Sequence, residues 1–128
     1  MPASDRGAVG RIGEDAAAGA YVARGFRILA RNWRCPLGEI DLVAQRGTLV
    51  VVCEVKTRRR SVFGGPFDAG TAAKRRRLRA LAAAFLSLGF DRAEGSAPAC
   101  EADVRFDVAS VSIDASGRPA VHLFEDAF

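Results

Sequence analysis

The chain has 128 residues, 49% of them apolar and 27% charged, with a net charge of +4 and a pI near 9.5. That length and composition suit one domain, residues 1–128, with a real hydrophobic core, and exclude a disordered or fibrous chain. The longest apolar run, Ala80 to Leu86, is far too short to span a membrane, and the opening MPASDRGAVGR lacks the apolar segment of a secretory signal.

Three cysteines, Cys35, Cys53 and Cys100, form no CxxC pair. The expectation is a reducing cytoplasm, with Cys53 a core residue and no zinc site. The positive charge calls for an anionic partner and is unevenly spread: nine basic residues and one acid, Asp68, lie between Lys56 and Arg79. Of the nineteen basic residues only Lys56 and Lys74 are lysine. Lysine is a compact charge whose proton can be moved, which arginine cannot offer.

Ser4 to Arg24 reads as a helix, capped by Ser4 and stopped by Gly25. Two small-residue stripes compete for its inner face. Val9-Ile12-Ala16-Ala20-Ala23 leaves Glu14 in solvent, whereas Gly10-Glu14-Ala17-Tyr21 aims it inward; periodicity leaves both open. Phe26 to Trp33 alternates as an edge-leaning strand, and Cys35-Pro36-Leu37-Gly38 turns into the next segment.

The segment from Gly38 to Arg58, GEIDLVAQRGTLVVVCEVKTR, reads as a hairpin closed by Gly47-Thr48 in a type II′ turn. Counting outward from that turn pairs Arg46 with Leu49, Val43 with Val52, Asp41 with Glu54 and Glu39 with Lys56. Ile40, Leu42, Ala44, Val51, Cys53 and Val55 then form the opposite, apolar face. Opposed carboxylates repel, and a divalent cation between them would turn the repulsion into binding. Hard oxygen ligands suit Mg²⁺ or Mn²⁺, which can activate a bound water against a phosphodiester, with Lys56 placed to orient that water or take its proton.

Arg58, Arg59 and Arg60 open a basic connection through Phe63-Gly64-Gly65-Pro66. Thr71 caps a second helix to about Leu88, with Leu78, Leu81, Phe85 and Leu88 as its core stripe. Lys74 is in line with that stripe and points to the sheet; Arg75, Arg76 and Arg79 point to solvent, either as a solvated face or as phosphate contacts. Phe90 to Asp103 is a loop. Arg105 to Ile113 and Pro119 to Phe124 are strands joined by the Asp114-Ala115-Ser116-Gly117 turn. Asp107 reads as a paired structural acid, the alternative being a further carboxylate near the site, and His122, the one histidine, as structural rather than a ligand.

GEIDLVAQ…LVVVCEVKTR, with GRIGEDAA and RILARNWRC before it and AAKRRRLRALAAAFL, RFDVASV and VHLFEDAF after it, resembles the YraN family. These small bacterial proteins are related to PD-(D/E)xK nucleases and archaeal Holliday-junction resolvases. The resemblance implies an α/β fold, with a restriction-endonuclease-like αβββαβ core and a mixed central sheet flanked by helices. It implies metal held by Asp41, Glu54 and the Val55 carbonyl, a catalytic Lys56, and a contribution from Glu14 on the first helix. Two departures stand out: Ile40 replaces the superfamily's proline, and Asp126 replaces the family's usual asparagine.

The expected function is therefore a Mg²⁺- or Mn²⁺-dependent, structure-selective DNA endonuclease. Its site residues would be Asp41, Glu54, Lys56 and Glu14, with Glu39 nearby. Branched or structured DNA would be held by Arg58, Arg59, Arg60, Lys74, Arg75 and Arg76. The alternative is a non-catalytic nucleic-acid-binding or partner-recruiting module that retains the fold. Symmetric cleavage of a junction needs two sites, and on that condition the chain would act as a homodimer.

Overall fold

The computed structural model describes residues 2–59, 72–89 and 103–128. Helix α1 (Pro2–Ala23) is followed by strands β1 (Arg27–Cys35), β2 (Gly38–Arg46) and β3 (Leu49–Arg59). Helix α2 (Ala72–Ala84) runs on into a π-helical turn, Phe85–Gly89, and strands β4 (Asp103–Ile113) and β5 (Pro119–Phe124) complete the order. The Thr71 cap, Arg60, the glycine-rich connection and most of the expected 90–103 loop lie outside the described residues.

One five-stranded sheet runs β1-β2-β3-β4-β5. β3 and β4 are parallel and the other neighbours antiparallel. This is the expected α/β architecture: a helix, three strands, a helix and two strands, forming a mixed sheet with two helices. The parallel pair follows from the connection, because parallel neighbours need a long crossover, and the segment between β3 and β4 contains α2.

The β2–β3 turn is built as its residues dictate. Gly47 has φ 60° while Thr48 is outside the left-handed region, the pattern of a type II′ turn. Arg46 therefore faces Leu49 and Val43 faces Val52. Alternation along β3 then divides the core. Val51 and Cys53 join Leu42, Ala44 and Ala109 beneath Ala17, Ala18 and Tyr21 of α1. Val50 and Val52 join Ile40 and Val43 beneath Leu81, Ala82 and Phe85 on the α2 side. Each Val or Leu fully buried in these layers contributes about 1.5–3 kcal/mol. Edge-to-face ring contacts lock both layers, Tyr21 on Phe26 and Trp33 on Phe85.

The inner face of α1 is the Glu14-Ala17-Tyr21 stripe; Ile12 of the competing stripe is exposed. Packing at Gly13 decides between them. A Cβ there would overlap the Thr57 hydroxyl and stand 2.7 and 2.8 Å from Thr57 Cβ and Cγ2. Only glycine lets the helix lie this close to β3, and the approach sets Glu14 beside the strand ends. Gly10, one turn earlier, has nothing within 4 Å of its missing Cβ.

Gly13→Ala should accordingly destabilise the protein by about 1–3 kcal/mol through overpacking. Gly10→Ala should stabilise it by about 0.5–1 kcal/mol through helix propensity. Thermal melts of the two variants check both signs; equal melting temperatures would show that the helix does not rest on Thr57.

Candidate functional site

The β2–β3 ladder ends at Leu42↔Cys53. Beyond it β2 stays with β1, through Ile40↔Trp33 and Glu39↔Arg34, while β3 stays with β4 as far as Arg59↔Ile113. The two central strands part, and the site lies in the fork. Asp41 Oδ2 accepts a hydrogen bond from Val55 N at 2.9 Å, giving that amide a carboxylate partner beyond the end of the β2 ladder.

The fork corrects two expectations. Glu39 does not face Lys56; it faces Arg34 across β1, with Oε2 3.3 Å from Arg34 Nε. Ile40 does not share the face of Leu42; it packs with Val43 on the α2 side. Asp41 and Glu54 do come together, although they do not form a ladder pair: both line a cleft of about 310 Å³ between the sheet and α2.

Glu54 is gripped by both lysines of the chain. Lys56 Nζ is 3.7 Å from Oε1, and Lys74 Nζ is 3.1 Å from Oε2. Lys56 reaches it as the i+2 neighbour on one strand face, and Lys74 from the first turns of α2, as its place in the apolar stripe predicts. The Phe128 ring lies 5.1 Å from the Lys74 ammonium, a cation–π contact that the sequence did not signal.

Glu14 stands at the α1 side of the fork. Its Oε1 accepts a hydrogen bond from Asn32 Nδ2 at 3.1 Å and lies 4.0 Å from Arg31, which binds Asp15 more closely at 2.6 Å. Asn32 reaches it from a left-handed conformation, φ 52°, that asparagine tolerates better than most residues. Among the described residues no three His, Cys, Asp or Glu side chains converge as a ready-made metal cage. The donors that fit a hard cation are the Asp41 and Glu54 carboxylates, sharing one cleft and repelling each other.

The basic residues divide into two groups. Arg75 and Arg76 are exposed on α2, Arg59 is exposed and Arg58 half-buried at the end of β3. Lys74 is half-buried and paired with Glu54, and Arg60 is outside the described residues. Cys53 is buried, its thiol pushed up to about 12 by burial. No described helix is long and apolar enough to cross a membrane.

Asp107 is the structural acid it was expected to be. Its buried carboxylate accepts from Tyr21 Oη at 2.7 Å, from Arg105 at 2.8 and 2.9 Å, and from Asp126 N at 3.0 Å. Burial, first of all, raises the Tyr21 phenol well above its ordinary pKa, so it stays a donor. Asp126 has φ 52°, a left-handed conformation in which Asn and Asp are among the best tolerated side chains. Ala127 N donates to Phe106 O at 2.8 Å, and the segment pinned in this way carries Phe128 to Lys74.

The family model described as "Uncharacterised protein family UPF0102" matches residues 13–111. A UPF0102 protein of Acidothermus cellulolyticus is 44% identical over 130 residues, covering 98% of this chain and 97% of the relative. One from Symbiobacterium thermophilum is 47% identical over 120 residues, covering 94% and 95%, and one from Moorella thermoacetica 45% over 120, covering 93% of each.

The electrostatic strain of the fork falls on Asp41. Burial, above all, raises its carboxyl above the ordinary 3.8; the Val55 N–H opposes the rise, and the charges of Glu39, Glu54 and Glu14 add to it. A raised folded-state pKa means that the stability at this site is full below 3.8 and is lost as pH rises through the raised value. Asp41→Asn keeps an acceptor for Val55 N and removes the charge. In metal-free melts from about pH 3 to pH 8, this variant should exceed wild type at neutral pH, the gap closing toward the acid end. A variant less stable than wild type at neutral pH would show that the carboxylate is not strained.

Proposed function

The chain belongs to the uncharacterised protein family UPF0102, and on that premise we propose that it is a metal-dependent, structure-selective endonuclease hydrolysing phosphodiester bonds in branched or otherwise structured DNA. The observation that carries this reading is the pair of carboxylates in one cleft, with both of the chain's lysines on one of them. Asp41 and Glu54, joined by the Val55 carbonyl, would hold Mg²⁺ or Mn²⁺. Such an ion supplies charge stabilisation at a phosphodiester and a more acidic bound water.

The chain's own groups supply the remainder. Lys56 Nζ, half-buried beside Glu54, is the group to orient the attacking water or receive its proton. Lys74 neutralises the other Glu54 oxygen, and with a cation bound there its ammonium would be placed to meet a phosphate. Arg58, Arg59, Arg75 and Arg76 lie at the end of β3 and on α2, on the strand and the helix that supply Glu54 and Lys74; there they would draw in the backbone of the nucleic acid. Glu14 acts at the edge of the site, adding negative charge beside Asp41. Cutting a junction on both strands takes two such sites, hence two chains.

The second reading, a module that binds nucleic acid without turnover, draws on the same ion pairs: two ammonium groups already compensate Glu54 with no cation present. Cleavage separates the two. Single-turnover assays on branched, single-stranded and duplex DNA with Mg²⁺ or Mn²⁺ should show activity that Glu54→Gln abolishes, with affinity unchanged or slightly higher. Lys56→Arg should lose about 10²–10⁴-fold in rate, the usual contribution of a general acid–base group, because the guanidinium keeps its proton and is bulkier. Arginine matching wild type while Lys56→Met fails would mean that Lys56 provides charge alone. Metal-dependent cleavage surviving in Glu54→Gln would overturn the site.

A further inference from the structure

Beside the cleft, the sheet continues across β4 and β5 in a surface whose residues the proposed chemistry does not use. The pairing defines its rows. Lys56 is beside Ser110, which is beside His122; Glu54 is beside Val108, which is beside Phe124; Arg58 is beside Ser112, which is beside Ala120. All nine side chains share one face of the sheet, since the intervening Val55, Ala109, Val121 and Leu123 pack on the α1 side. On the shared face, α2 packs with Ile40, Val43, Val50 and Val52, toward the other end.

His122 is exposed on β5, the edge strand, and its imidazole lies over the half-buried Phe124 ring, centroids 4.3 Å apart and planes within 23°. Strand spacing puts it about 10 Å from Lys56, two strands away. The face around this ring pair carries the Ser110 and Ser112 hydroxyls, Lys56, Arg58 and, toward the cleft, the Glu54 carboxylate, with the Val108 side chain fully buried between Glu54 and Phe124. The acid that follows β5, Glu125, is compensated by Arg24 at 3.1 Å and Arg105 at 3.8 Å.

We propose that this face is a shelf for an unpaired DNA strand, on which a base stacks against the His122–Phe124 pair while the backbone runs toward Lys56 and Glu54. Stacking needs an exposed π-face held in a fixed plane, and Phe124 holds the imidazole in that way. Cationic and hydroxyl groups alongside match a phosphate backbone, and the net charge of +4 has the right sign. Bases inside a duplex are already stacked on one another, so the shelf accepts only unpaired ones. It names the feature the proposed nuclease reads, a single-stranded segment next to the bond to be cut, and rests on that reading for this role.

The test is binding, free of any cleavage. Fluorescence anisotropy in EDTA would compare a labelled single-stranded oligonucleotide with its blunt duplex, using wild type, His122→Ala and His122→Phe. His122→Ala should weaken single-strand binding by about 5–150-fold, the range of one base–aromatic contact, and change duplex binding far less. His122→Phe should retain single-strand affinity, since any aromatic face serves. Wild-type binding left unchanged by His122→Ala, or an equal loss on both oligonucleotides, or His122→Phe failing as His122→Ala does, overturns the shelf alone. A wild-type protein that binds neither DNA overturns the nuclease reading with it.

Discussion

Where β2 leaves β3, the Val55 amide meets the Asp41 carboxylate beyond the last pair of the ladder. A carboxylate in that position serves as a piece of sheet and remains a charge at the mouth of a cleft. Continuing the ladder would have set Asp41 directly against Glu54, with the Cβ atoms about 4.5–5.5 Å apart and nothing to absorb the repulsion. By parting, the strands give the charge a hydrogen-bond donor and open the space that a cation could enter. The geometry of the site thus follows from how the sheet resolves an electrostatic conflict written into its central hairpin.

Charge balance at the fork is maintained by groups from three directions. Lys56 comes from the same strand as Glu54, Lys74 from α2, and the Phe128 ring that backs Lys74 from the far end of the chain. That last group is held by the Asp107 network, in which a fully buried carboxylate joins α1 through Tyr21 to the segment following β5 through Asp126. A buried acid without such partners would be strongly destabilising; with them it ties three parts of the fold together.

Much of this was legible in the amino acids, and the failures have physical causes. The Gly47-Thr48 turn specified the register near it, because a two-residue loop leaves no slack. Extrapolated past Leu42, the same register misplaced Glu39 and Ile40, since nothing in GEIDL announces that β2 will follow β1 instead of β3. Lys74 was readable from its spacing to Leu78 and from the scarcity of lysine. The inner face of α1 was not, because its stripes are equally small and apolar; a single close contact, Gly13 on Thr57, decides it. Asp107 was identified as a structural acid from strand position, whereas Arg105, Tyr21 and Asp126 as its partners required the fold. His122, expected to be structural rather than a ligand, is exposed on the edge strand with its ring stacked on Phe124, a contact that required the fold.

The central claim is that Asp41 and Glu54 share one divalent cation at the strand fork. Anomalous diffraction from crystals soaked in Mn²⁺ tests it most directly. The expected result is a peak within about 2.2 Å of an oxygen from each carboxylate, with the Lys74 ammonium displaced from Glu54. A fully occupied Mn²⁺ elsewhere on the molecule, with the fork empty and both lysines still on Glu54, would contradict it.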